Sequence, residues 1–226
     1  MKKLPIFSAL DLETKDQALS LVQSTQNYVQ AYKIGPRLFL SYGKKLIADI
    51  KQLAPSAQIF LDFKFYDIPS STVEAVRSAF QAGADFVTVH AGVGQETLNL
   101  LYQLECELSQ ERFFKILFVT VLSSASPSSE TEKVVFNLAD SVYKTGLKGL
   151  VCSPWEAKAL RDKYPDVFLV TPGIRCEGDS KGDQKRVMTP LKALQAGSSA
   201  LVMGRSLITH PNLEDFLRKL SQLLEK

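Results

Sequence analysis

Histidine is almost missing from this 226-residue chain, where His90 and His210 are the only two. A serine–histidine–acid triad or a multi-histidine metal centre therefore has next to nothing to be built from. Cysteine is scarce too. Cys106, Cys152 and Cys176 are odd in number, far apart and without a CxxC pair. That pattern argues against a disulfide framework or a thiolate metal site and is natural for a reducing cytoplasm. No run of five basic residues occurs, and a formal net charge of +3 is too small and scattered for a nucleic-acid or membrane surface. No apolar stretch approaches the length that spans a bilayer. The opening Met1-Lys2-Lys3-Leu4-Pro5 runs into a strand-like segment that Asp11 interrupts too soon for a signal peptide. GxGxxG is absent, and GDSKGDQK does not fit the GxxxxGK[ST] of a nucleotide-binding loop.

What is present is a rhythm. Apolar, β-branched or aromatic runs fall at 6–12, 31–35, 59–65, 85–91, 115–122, 149–153, 168–174 and 199–205, a spacing of about 25 to 30 residues with helical patterns between. Strands alternating with amphipathic helices indicate parallel βαβ units, and eight of them in this length predict a single-domain (β/α)₈ barrel over 1–226. Capping boxes are expected at Thr14 with Gln17, Ser71 with Glu74, and Ser153 with Glu156. Thr189-Pro190 opens a further helix, and Gly83, Gly146 and Gly197 stand where helices should end in a left-handed residue. Leu213, Phe216, Leu217, Leu220 and Leu224 form an apolar stripe on the last helix. The longest irregular stretch, 175–188, has the length of a functional loop.

In such a barrel the active site lies at the C-terminal strand ends, and these ends are rich in polar residues. They carry Asp11, Lys33, Asp62 and Lys64, His90, Ser123 and Ser124, Ser153, Thr171 and Arg175, and Gly204, Arg205 and Ser206. Asp62 and Lys64 are two apart, so on an extended strand both face the same way while Phe63 and Phe65 face the helices. Lys33 supplies a second cation for Asp62, and Asp67 follows in the loop. An isolated Asp-x-Lys is ordinarily a plain salt bridge. Four alternating charges at neighbouring strand ends instead predict an ammonium held rigidly for chemistry at a developing carbanion. Gly204 and Arg205, after a strand and before a short helix, offer an anion site, although a glycine there equally makes a plain turn. His90 reads as a hydrogen-bonded barrel residue.

With these residues in view, the chain resembles the orotidine 5'-phosphate decarboxylase family. LDFKFYDIP matches its DxKxxDIP signature, and ALD at Asp11, YKIG at Lys33, VTVHA, VTVLSS, TPGIR, GDQKRVMTP and VMGRS extend the likeness along the whole chain. The resemblance implies a cytoplasmic enzyme of pyrimidine biosynthesis that turns its nucleotide substrate into uridine 5'-phosphate and CO₂ with neither metal nor cofactor. It implies that Lys64 protonates C6, that Asp62 lies against the departing carboxylate, and that Asp11 and Lys33 bind ribose hydroxyls. It further implies a homodimer with shared sites, in which Asp67 enters the neighbouring subunit's site. Arg175 and Gln184 would help close the long loop over the phosphate, and solvated loop polarity is the alternative for both. Two departures stand out. Ser123 replaces a common threonine at the pyrimidine edge but keeps its hydroxyl. Ser70-Ser71 replaces Asn-Thr, and Ser71 has two readings, a ribose contact in the partner site or the cap of helix three.

Two other functions fit parts of the pattern. A Mg²⁺-dependent sugar-phosphate decarboxylase or aldolase of the same barrel superfamily shares D-x-K-x-x-D, but the Ile-Pro after Asp67 and the cation at Lys33 favour the nucleotide enzyme. A non-catalytic phosphate-binding barrel would give the lysine beside Asp62 no purpose.

Overall fold

A computed structural model describes residues 3–122, 128–176 and 186–224. Eight parallel strands close on themselves in sequence order, so the architecture is a (β/α)₈ barrel. The strands are β1 (Leu4–Ala9), β2 (Val29–Ile34), β3 (Gln58–Phe65), β4 (Phe86–His90), β5 (Lys115–Val119), β6 (Gly149–Val151), β7 (Phe168–Thr171) and β8 (Ala200–Met203). Among the described residues nine helices surround them: α1 (Lys15–Thr25), α2 (Pro36–Leu53), α3 (Pro69–Gln81), α4 (Gln95–Glu111), α5 (Ser129–Lys144), α6 (Ala157–Lys163), α7 (Pro190–Gln195), α8 (Arg205–Ile208) and α9 (Leu213–Leu224). None of the described helices is long and apolar enough to cross a membrane.

Several strands stop two or three residues before their apolar runs do. Val121 and Leu122 leave the ladder of β5 and line the mouth instead, so hydrophobicity alone overstates the strand. The helix signals are mixed. Thr14 and Gln17 form the expected capping box, Thr189-Pro190 begins α7, and Gly83, Gly146 and Gly197 end their helices at φ of 99°, 100° and 100°. Ser71 does not cap α3. Pro69 occupies the first helical position, where its ring presets φ and its missing N–H costs nothing, so Ile68 becomes the N-cap and Ser71 falls within the first turn. At α6 only half of the expected box forms. Ser153 N–H donates to Glu156 at 2.9 Å, but the Ser153 hydroxyl accepts from Trp155 N–H and the helix starts after Glu156.

The barrel interior is divided along its axis. At the N-terminal end of the strands Phe7, Phe60, Phe86 and Phe168 fill the bore, with Phe7 4.9 Å from Phe86 and Phe168 stacked on Phe86 at 5.8 Å. Tilted and stacked ring pairs of this kind add about 0.5–1.5 kcal/mol each to the burial of apolar area. Phe60 also forms part of the floor of the cavity at the other end.

Candidate active site

Above that aromatic floor a cavity of about 550 Å³ opens between the C-terminal strand ends. Asp11 lies two residues past β1, Lys33 is in β2, and Asp62 and Lys64 are in β3. Parallel pairing sets Ala9 beside Lys33 and Lys33 beside Phe60, which brings the three strand ends to one height. The Lys33 ammonium lies 3.1 Å from Asp11 Oδ1 and 3.3 Å from Asp62 Oδ2. Lys64 Nζ stands 2.8 Å from Asp62 Oδ1, the carboxylate's other oxygen.

This row of alternating charges explains how ions survive inside a barrel, since each buried charge has an opposite neighbour. Burial pushes the Lys33 ammonium down, but Asp62 and Asp11 outweigh it and hold it above its usual range. Burial likewise pushes the Asp62 carboxyl up, and Lys33 and Lys64 overcome that and keep it below its usual range. Both groups therefore stay charged at neutral pH.

Lys64 does not sit on a plain extended strand as the sequence spacing suggests. Its φ is +51°, the only positive value outside glycine among the described residues. The β3–β4 register pairs Leu61 with Val87 and next Phe65 with Val89, so Asp62, Phe63 and Lys64 bulge opposite the single residue Thr88. Thr88, fully buried, accepts the Lys64 backbone N–H at 2.8 Å and donates to Asp62 Oδ1 at 3.1 Å. Phe63 turns outward onto Phe39 of α2, ring centres 5.1 Å apart, as expected.

Arg175, Gly204 and Arg205 line the same cavity from β7 and β8. Arg175 is buried, and its Nη1 donates to the Ile174 carbonyl at 2.8 Å. Arg205 is exposed at the start of α8, with Gly204 immediately before it. Asp67 and Ser71 do not line the cavity of their own chain. Asp67 is exposed, its Oδ1 accepts the Ile68 N–H at 2.7 Å, and among the described residues no cation lies within ion-pair distance of it. Ser123 and Gln184, like Ser124 and most of the 175–188 stretch, lie outside the described residues. His90 accepts the Gly92 N–H on Nδ1 at 3.0 Å and packs 4.8 Å from the Tyr66 ring.

A second charged pair escaped the sequence reading. Arg186, 1% exposed, reaches Glu156 with Nη1 and the Leu122 carbonyl with Nη2 at 3.0 Å. Beside it Met188 N–H donates to the Gly173 carbonyl and Arg175 N–H to the Met188 carbonyl. The stems of two mouth segments are thereby tied to α6. In sequence Arg186 is one of several polar residues in GDQKR, and no local signal separates it from them. Thr88 had one weak signal, its place two residues before His90 on the same inward face of β4.

A family model for the orotidine 5'-phosphate decarboxylase / HUMPS family matches residues 5–220. The chain belongs to that family. A protein named orotidine 5'-phosphate decarboxylase from Pseudomonas fluorescens (strain SBW25) is 37% identical, over 89% of each chain. One of the same name from Synechococcus sp. (strain CC9902) is 38% identical over 92% of this chain and 89% of its own. Another from Wigglesworthia glossinidia brevipalpis is 35% identical over 99% and 100%. The family's DxKxxDIP segment is thus the bulged end of β3 and the turn into α3.

Proposed function

We propose that this chain decarboxylates orotidine 5'-phosphate to uridine 5'-phosphate, with Lys64 as proton donor. The observation that carries the reading is the Lys33–Asp62–Lys64 row at the cavity, in a chain of this family. Breaking the C6–carboxylate bond leaves an electron pair in the ring plane at C6, where the ring cannot delocalise it and no cofactor serves as sink. The Lys64 ammonium stabilises that pair and transfers its proton to C6 as CO₂ departs, and the neutral amine regains a proton from solvent. Asp62, held ionised by two lysines, repels the substrate carboxylate and fixes Lys64. Asp11 and Lys33 take the ribose hydroxyls, while Gly204, Arg205 and Arg175 take the phosphate. Ser123 and Gln184 contribute to the pyrimidine edge and the phosphate respectively.

Enzymatic accelerations can demand up to about 23 kcal/mol, and one ion contact near 4 Å at intermediate dielectric is worth roughly 4 kcal/mol. One lysine is insufficient. Binding of the remote phosphate supplies a further share by expelling water and fixing the ring. This reading calls on no metal, because Lys33 and Lys64 supply the positive charge beside Asp62. The test is the spectrophotometric assay with orotidine 5'-phosphate after exhaustive chelation. Full activity is expected, and loss restored by Mg²⁺ would move the chain to sugar-phosphate chemistry.

We further infer that the protein is one catalytic domain acting in the cytoplasm as a two-fold homodimer, each site completed by the partner's Asp67. Asp67 lacks a cation in its own chain among the described residues, and its neighbours Tyr66 and Ile68 are 66% and 63% exposed. Apolar groups so exposed beside an unpaired carboxylate gain from being covered. Ser71, exposed in the first turn of α3, lies on the same side and would reach the partner's ribose.

A further inference from the structure

We propose that the Thr88 hydroxyl is a positioning group for this reaction, one oxygen that fixes both the backbone under Lys64 and the carboxylate against it. The inference rests on the decarboxylase reading above and concerns a residue to which that reading gives no part.

The bulge of β3 creates the need. With three residues facing one, the Lys64 N–H finds no carbonyl on β4, and a buried N–H without an acceptor costs free energy on the scale of a lost hydrogen bond. The Thr88 oxygen substitutes for the missing carbonyl at 2.8 Å. A hydroxyl carries one proton, and with Lys64 N–H on a lone pair that proton is aimed at Asp62 Oδ1, 3.1 Å away. The same Oδ1 receives Lys64 Nζ at 2.8 Å. The circuit is closed: backbone of Lys64, hydroxyl of Thr88, carboxylate of Asp62, ammonium of Lys64. Thr88 is 0% exposed, so water has no room to replace it.

The fold does not require this conformation. An unbroken extended strand would also put Asp62 and Lys64 on one face, with no residue at positive φ. A lysine at φ +51° is strained and persists only where its surroundings hold it, and such residues gather at functional sites. What the bulge gains is a lysine whose root and tip are both fixed. A preorganised donor acts best when it need not reorganise during the reaction. Threonine also suits the position as a β-branched strand residue, and its hydroxyl is the part that valine lacks.

The experiment compares Thr88→Val, which keeps shape and β-branching, with Thr88→Ser, which keeps the hydroxyl. Wild-type turnover of orotidine 5'-phosphate is measured first, and its absence would overturn the functional reading itself. Given that turnover, Thr88→Val should lower kcat about a hundredfold, the scale of one lost preorganised donor, with KM changed only a few fold, while Thr88→Ser stays near wild type. The acid limb of kcat/KM should move to higher pH in Thr88→Val. Asp62 is faced by Lys33, Lys64 and Thr88, with Asp11 behind Lys33, and losing a donor to its ionised form makes it easier to protonate. Equal losses in both variants would show that size matters and the hydroxyl does not. A Thr88→Val enzyme with kcat within threefold of wild type, or with an unmoved acid limb, would sink the inference while leaving the decarboxylase intact. Should Thr88→Val fail to fold, Thr88→Ala against Thr88→Ser, each checked for nucleoside monophosphate binding, decides by the same criteria.

Discussion

The Lys33–Asp62–Lys64 row and the Glu156–Arg186 pair stand on opposite sides of one barrel mouth, and both take full charges out of water. They differ in where they end. The side chains of Arg186 and Glu156 are 2% and 8% exposed, sealed between α6, Leu122 and the stem at Val187–Met188. In the row, exposure climbs from 9% at Lys33 to 40% at Lys64, so one end opens into the cavity. A sealed pair can only hold parts of the chain together, and apolar residues of similar volume often do that equally well. A row with an open end presents a charge to whatever enters.

The widest separation between the two clusters should appear on removing Lys64. Lys64→Ala is expected to lose about 10⁴-fold or more in kcat, with melting temperature and nucleoside monophosphate binding largely kept. Retention of a few per cent of activity would remove Lys64 as the donor.

The pair is complete within one chain, whereas the row is proposed to be completed by a second. Mixing inactive Lys64→Ala with inactive Asp67→Ala subunits tests this by counting. Random pairing makes about half the dimers mixed, and one of the two sites in each receives neither lesion, so about a quarter of wild-type activity should emerge from two dead parents. No recovery, once mixed dimers are verified, would place both residues in one chain's site.

Across the cavity, Arg205→Ala should lower kcat/KM about a hundredfold, the scale of a lost charge-assisted contact. Phosphite dianion should restore part of the turnover of a substrate truncated at the phosphate. Absence of phosphite activation would reduce Arg205 to an anchor.

The sealed pair should behave in the opposite sense, through stability. Arg186→Met or Glu156→Leu alone is expected to cost about 3–5 kcal/mol by stranding a buried charge, and the double variant much less. Denaturant titration of the three proteins reads this directly, and additive losses would contradict it.

The smallest effect concerns acid. Because the Asp62 carboxyl is held below its usual range, the stability it contributes is present above about pH 4 and lost as pH falls through its lowered value. Asp62→Asn should flatten that part of the acid unfolding curve, and an unchanged curve would mean that other carboxylates govern it.

The two clusters also mark how far sequence carries. Lys33, Asp62 and Lys64 were legible because strand periodicity is short and strict, and each lies at or near a strand end where barrels bind ligands. The bulge beneath Lys64 was not legible, since period-two alternation assumes an unbroken ladder. Thr88 passed as a common strand former, and its importance depends on a register slip in the neighbouring strand. Ser71 was misplaced because Pro69 has the stronger claim on the helix start. Arg186 was hidden for a different reason: burial of an arginine in a polar stretch depends on Glu156, 30 residues away.

The phenylalanine floor has a consequence for traffic. Among the described residues, Phe7, Phe60, Phe86 and Phe168 stop the bore from below, so a small molecule made above them faces the strand mouth. Gas, nucleotide and displaced water then leave toward the same end of the barrel, where the molecule nearest the mouth stands in the path of those beneath it.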